Sequence, residues 1–200
     1  MFEHKKILVL GMARSGYEVA KLLSNYDNEI IVTDAKEQDK NHLDELKDLN
    51  VTFVLTDKPD SLLDESFDYL VKNPGIRKDH PCVIKAKEMS IPVINEVEVA
   101  YNLFEPNIDI IAITGSNGKT TTTTMTYEVM KKAGLSVHLG GNIGYPVSSL
   151  VKKAKSGDKL VLEISDHQLV DTDSFHPYVA ALLNLSEVHL DFHGTYDVYK

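Results

Sequence analysis

The chain of 200 residues has no tryptophan, a single cysteine (Cys82), no low-complexity tract and no long apolar run. One cysteine forms no internal disulfide, and a membrane-spanning helix needs about 20 consecutive apolar residues, so a reducing, cytoplasmic setting away from the membrane is expected. The apolar part of "MFEHKKILVLG" is also too short for a signal peptide. Basic residues are scarce: 21 Lys and Arg against 30 Asp and Glu leave a net charge of -9. A nucleic-acid-binding surface needs a positive field to displace counterions from phosphates, so that partner is not expected, whereas a small anion held locally is compatible. The missing tryptophan decides nothing.

What is present suits two compact α/β units. Short β-branched runs recur at "KILVLG" (6–11), "EIIVTD" (29–34), "VTFVL" (51–55), "YLVKNPG" (69–75) and "IPVINE" (91–96). Polar or amphipathic stretches such as "GYEVAKLLSN" separate most of them. Strands apolar throughout, alternating with helices, are what a parallel sheet covered on both faces requires. Residues 1–96 therefore read as a doubly wound, Rossmann-like domain, with a helix opened by Pro81 and another at 95–104. After the turn "EPNID", residues 97–200 read as a second α/β domain: strand "IDIIAITG", helix 118–133, strand "SVHLGG", a helix, and strands at 158–165 and 178–185. The polar segment up to Lys200 does not look like a closing element, so this second domain reads as incomplete.

Three motifs carry chemistry. "GMARSG" (Gly11 to Gly16) joins the first strand to the first helix as a dinucleotide-type loop would, but Ala13 stands where the middle glycine normally allows close backbone approach. Asp34 ends the second strand, where such folds place an acid that accepts from a ribose or base, and "KNPGI" adds a glycine loop at the same sheet edge. In "AITGSNGKTTTTTM", Gly115, Ser116, Asn117 and Gly118 form a tight turn whose amides can face phosphate. Lys119 then reaches the β and γ phosphates, and the Thr120 hydroxyl is placed to ligate Mg²⁺. The usual loop reads G-x-x-x-x-G-K-[ST], and Ile113 occupies the place of its first glycine. The third group is Glu163 inside an apolar strand, costly without a cation or metal, with Asn142, His189, Asp191 and His193 at neighbouring strand ends.

The segments "TGSNGKTTTT", "GGNIGYP", "LEIS" followed by "QL", and "NLSEVHLDFHGT" resemble, in order and spacing, the Mur ligases. With "GMARSG", "VTDAK", "KNPGI" and "NEVEVAY" the chain looks most like the members that add D-glutamate to UDP-N-acetylmuramoyl-L-alanine in peptidoglycan precursor synthesis. The family's phosphate loop is a shortened T-G-[ST]-N-G-K-T, which accounts for Ile113. The resemblance implies an ATP- and Mg²⁺-dependent amide ligase, a monomer, working through an acyl phosphate. It implies that Arg14, Ser15, Asp34, Lys36, Asn73 and Gly75 hold the UDP substrate, with Asn142, Ser165 and Gln168 at its muramoyl-alanine end. ATP falls to Gly115, Ser116, Asn117, Gly118, Lys119, Thr120 and Thr121, metal to Thr120, Glu163 and His189, and catalysis to Lys119, Glu163 and His189. The usual Ser-Ser-Phe-Gln is here Ser165-Asp166-His167-Gln168, and the family's amino-acid-binding carboxyl-terminal domain has no counterpart in these residues. A fragment that binds nucleotide without ligating is thus expected. A nicotinamide-dependent dehydrogenase leaves the phosphate loop unexplained, and folylpolyglutamate synthases typically carry G-K-G-S there.

Overall fold

A computed structural model describes residues 1–200. The first sheet holds β1 (Lys6–Leu10), β2 (Glu29–Asp34), β3 (Thr52–Leu55), β4 (Tyr69–Lys72) and β5 (Val93–Ile94), all parallel in the order β3-β2-β1-β4-β5. The chain winds outward from β1 in both directions. Loops leaving β1 and β4 therefore part at a topological switch point, where open α/β sheets bind ligands.

Alternate residues of β1 serve the two faces. Ile7 and Val9 join the core of α1 (Arg14–Leu23), α2 (Lys40–Asp48) and α4 (Glu96–Tyr101), whereas Leu8 and Leu10 meet Cys82, Val83 and Ala86 of α3 (Pro81–Glu88). Burial there pushes the Cys82 thiol up to about 11, which keeps it protonated and inert at neutral pH. Helix starts follow local chemistry: Asp39 accepts from Asn41 N–H at 2.9 Å, and His80 Nδ1 from Cys82 N–H at 3.2 Å just before Pro81.

The second sheet has β6 (Asp109–Thr114), β7 (Val137–Gly141), β8 (Lys159–Glu163) and β9 (Val179–Leu182), parallel in the order β7-β8-β6-β9. Helix α5 (Lys119–Lys132) follows the glycine turn after β6. Between β7 and β8 a helix is expected from sequence, but the structure has only a 3-10 turn, Val147–Leu150. Apolar residues at 147, 150, 151 and 154 have helical spacing, yet Ser149 and Val151 donate three residues back, to Pro146 and Ser148. Docking of the turn against α1 and α4 accompanies this tighter winding.

One core serves both units. Val9, Leu23, Val97 and Ala100 belong to the same buried cluster as Val147, Leu150, Leu160 and Leu162. Helix α4 is the hinge-pin: Asn95 donates to the Gln168 carbonyl, Glu96 accepts from Ser148 N–H, and the Glu98 carboxylate accepts from the N–H groups of Asp173, Ser174 and Phe175 at 3.0, 2.9 and 3.0 Å. Burial raises the Glu98 carboxyl, but these donors and the Ser174 hydroxyl outweigh it and hold it below the ordinary value. Lys72, at 1% side-chain exposure, reaches Asp171 of the second unit at 2.7 Å.

Candidate active site

Register alone brings the acid to the phosphate loop. Ile113, Glu163 and Gly141 are paired across the carboxyl ends of β6, β8 and β7. Gly141 sits at φ +100, and a Cβ there would lie 2.1 Å from the Glu163 carbonyl oxygen, so the crossing requires glycine. Glu163 is 2% exposed, and its carboxylate accepts from the Thr120 hydroxyl at 2.7 Å and the Asn142 amide at 2.8 Å. No cation faces it. A buried carboxylate beside a threonine hydroxyl is a hard-oxygen pair that fits Mg²⁺, which takes oxygen ligands and keeps several waters.

The loop before α5 turns on Gly115 (φ +141) and Gly118 (φ +83). Lys119 folds its ammonium onto the carbonyls of Gly115 and Ser116 at 2.7 and 3.2 Å, inside the turn. Asn117 and Asn184 clasp each other reciprocally, backbone to side chain, at 2.9 Å in both directions. Thr123, fully buried, donates to the Lys119 carbonyl at 2.8 Å. Of the five threonines, Thr120 meets Glu163 and Thr123 anchors the first turn, whereas Thr121 is exposed on the helix surface.

Across from this loop, Asn73 donates to the Ser15 hydroxyl at 3.0 Å and accepts from Gly75 N–H at 3.1 Å. Arg14 donates to the Gly144 carbonyl of the second unit. A cleft of about 420 Å³ lies between the units, lined by Arg14, Ser15, Asn73 and Gly75 on one side and Lys119, Asn142, Ser165 and His189 on the other. A second cavity of about 310 Å³, lined by Gly11, Asp34, Thr56, Asn73 and His80, opens behind it. Both Asp34 oxygens already accept backbone N–H groups, from Met12 at 2.8 Å and Lys36 at 2.9 Å, so Asp34 first of all shapes the loop. The Lys36 side chain is exposed and lines neither cavity. Ser165 and Gln168 form a capping box for α6 (Asp166–Leu169), with Gln168 N–H on the Ser165 hydroxyl at 3.3 Å and Ser165 N–H on the Gln168 side-chain oxygen Oε1 at 3.0 Å. Their polar groups hold the backbone at the start of α6, and both residues line the cleft.

His189 lies with Asp166 and His167 at the cleft mouth, and not in the Thr120–Glu163 contact. Burial lowers the His167 imidazole below its ordinary value, against the pull of Asp166. Burial raises Asp166, but the hydrogen bond from His193 and the nearby imidazoles outweigh it, so its carboxyl is held low. Sequence reasoning passed over Asn184, Thr123, Lys72 and Asp171. A polar residue at the end of an apolar strand, as in "LLNL", is the signal that marks Asn184.

Residues 5–95 match the model of the Mur ligase MurD-like N-terminal domain, and residues 113–200 that of the Mur ligase middle domain. The UDP-N-acetylmuramoylalanine--D-glutamate ligase of Streptococcus pyogenes serotype M1 is 47% identical over 199 residues, covering 99% of this chain and 44% of that protein. The chain thus spans less than half the length of the curated relatives it matches. Two solved structures share the fold: UDP-N-acetylmuramate-alanine ligase MurC of Thermotoga maritima (TM-score 0.57, 21% identity, 98% of this chain and 45% of that one). The other is a UDP-N-acetylmuramate:L-alanyl-gamma-D-glutamyl-meso-diaminopimelate ligase from Neisseria meningitides (TM-score 0.57, 19% identity, 98% and 65%). With its switch-point loops, shortened phosphate loop and the Glu163 contact all in place, the chain belongs to the Mur ligase family.

Proposed function

We propose that these residues form the acceptor- and ATP-binding part of a ligase that adds D-glutamate to UDP-N-acetylmuramoyl-L-alanine. The supporting observation is that Lys119 and the Arg14–Ser15–Asn73 cluster line one cleft from opposite units. The uridine end enters the second cavity behind Gly11 and Asp34, and the muramoyl-alanine carboxylate points toward Lys119 and Asn142. ATP lies along the Gly115–Thr121 turn; the Ser116 and Asn117 amides are held by Asn184, and the amides from Gly118 to Thr121 at the positive end of α5 are the ones that favour phosphate.

Two anions must meet here, an acceptor carboxylate and the γ-phosphate, and their repulsion is the main barrier the residues address. Lys119, freed from its own carbonyls by a bound phosphate, supplies a positive charge at the transferring group. Thr120 and Glu163 would hold Mg²⁺, which screens the phosphate oxygens and helps align the transfer. The acyl phosphate so formed is attacked by the amine of D-glutamate, and a tetrahedral intermediate collapses with loss of phosphate.

Calorimetric titration with UDP-N-acetylmuramoyl-L-alanine and with NAD tests the assignment. Uridine-nucleotide binding that is lost in Asn73→Ala is expected; tight NAD binding with no uridine-nucleotide binding would overturn it. For the catalytic half, Lys119→Ala in a full-length enzyme carrying this sequence should abolish D-glutamate-dependent phosphate release. Release at the parent rate would remove Lys119 from the mechanism.

A further inference from the structure

The tip of the phosphate loop is held from outside by the end of β9. Strands β6 and β9 pair through Thr114 and Leu182, and the ladder runs on past both strands. Leu183 N–H donates to the Thr114 carbonyl at 3.0 Å, and Ser116 N–H to the Asn184 carbonyl at 3.0 Å. At the next step the Asn184 side chain takes the part of a backbone peptide, accepting from Asn117 N–H and donating to the Asn117 carbonyl, both at 2.9 Å. The Ser116 hydroxyl extends the contact: it accepts from Ser186 N–H at 2.8 Å and lies 2.8 Å from the Tyr199 hydroxyl. Gly115 makes room for this approach, since a Cβ there would stand 3.1 and 3.2 Å from the carbonyl oxygen and the nitrogen of Asn184.

The clasp decides which polar groups of the loop are spent and which stay open. The carbonyls of Gly115 and Ser116 take the Lys119 ammonium, and that of Asn117 takes the Asn184 amide. In a regular helix start the Asn117 carbonyl would receive the N–H of Thr121, four residues on. Turned away, it leaves the Thr121 N–H unmet within the chain, together with those of Gly118, Lys119 and Thr120. Four consecutive open N–H groups at the positive end of α5 form a receptor for anionic oxygens. When a phosphate draws Lys119 off the two carbonyls, the contacts from residues 184–186 are what still fix the tip.

We propose that Asn184 is a positioning residue for the nucleotide: its side chain holds the Asn117 peptide turned outward, so that the N–H groups of Gly118 to Thr121 stay open to the phosphates. The inference rests on the ligase reading for its ligand, a nucleoside polyphosphate. Asn184 acts through the loop and not by contact with phosphate. It is exposed and belongs to neither core cluster, so truncating it removes the clasp without opening the core.

Calorimetric titration of the chain with ADP and Mg²⁺, and separately with UDP-N-acetylmuramoyl-L-alanine, tests it. Asn184→Ala removes two neutral hydrogen bonds and should weaken ADP about tenfold, with the uridine nucleotide held within about twofold. Unchanged ADP affinity, or an equal loss for both ligands, overturns the positioning role. A parent chain that binds the uridine nucleotide but no ADP overturns the reading of the loop as an ATP site, and this inference with it. Amide hydrogen exchange on the unaltered chain gives a test free of any variant. Without nucleotide, the Ser116 and Asn117 N–H groups should be protected and those of Gly118 to Thr121 should not, and ADP should extend protection to the latter four. New protection by ADP at Ser116 and Asn117 instead, or Gly118 to Thr121 already protected in its absence, overturns the proposal.

Discussion

Glu96 is the residue most at odds with its surroundings. Its carboxyl is buried between the two units, one oxygen accepts from Ser148 N–H, and the other has no partner. Burial pushes its pKa up to about 7 from an ordinary 4.5. Between those two values the folded chain keeps a proton that the unfolded chain has released, so stability falls as pH rises through that window. Glu96→Gln removes the ionisation while keeping an acceptor for Ser148. The variant should match the parent near pH 4 and exceed it by as much as about 3 kcal/mol at pH 8, read by urea unfolding. Parallel stability curves across that range would disprove the assignment. Glu163 gives the second residue-scale expectation. Glu163→Gln keeps the contacts to Thr120 and Asn142 possible but removes the charge, so Mg²⁺-dependent ATP affinity should drop while Mg²⁺-free nucleotide binding stays within about twofold, on the order expected when only a metal ligand is lost. Equal Mg²⁺ dependence in the two proteins would take Glu163 out of the proposed metal site.

At the scale of elements, the loop after β4 and the segment after α6 are joined through Lys72. Its ammonium contacts Asp171 at 2.7 Å and the Ile76 carbonyl at 2.6 Å, so it both shapes the loop after β4 and ties it to the segment after α6. Removing one member of a buried pair strands the other charge, at a cost of about 3–5 kcal/mol, whereas replacing both by apolar residues is often near neutral. Asp171→Leu alone should therefore destabilise strongly, and Lys72→Met with Asp171→Leu should recover most of the loss in chemical denaturation. Additive losses would show that the pair is not coupled. The sequence makes the strands, the phosphate loop and the Glu163 position legible, because each is a local pattern of apolar period, glycine or a lone acid in an apolar run. Lys72, Asp171 and Asn184 were not legible, since their partners lie 99 residues away or across a strand pairing that periodicity does not specify. The turn at Val147–Leu150 departs from the expected helix for a related reason: its apolar spacing is helical, and only its docking partners show how tightly it winds.

For the whole molecule, the shared buried cluster predicts cooperative behaviour. A single unfolding transition is expected by calorimetry, and two separated transitions would contradict a continuous core. A ligand seated in the cleft would touch both units, so saturation with UDP-N-acetylmuramoyl-L-alanine, the proposed ligand, at 100 times its Kd should add about 2.7 kcal/mol to that one transition. A shift confined to part of the unfolding signal would place the ligand on one unit only. Helix α4 has a further consequence for how this protein could be taken apart or recombined. Its capping residue and two glutamates are completed by backbone from 148, 168 and 173–175, while its apolar side completes the first sheet's core. Residues 1–101 are thus not an interchangeable cassette: a chimaera that joins them to a different second domain inherits three unmet acceptor and donor sites unless the turn at Val147–Leu150 and residues 168–175 travel with them.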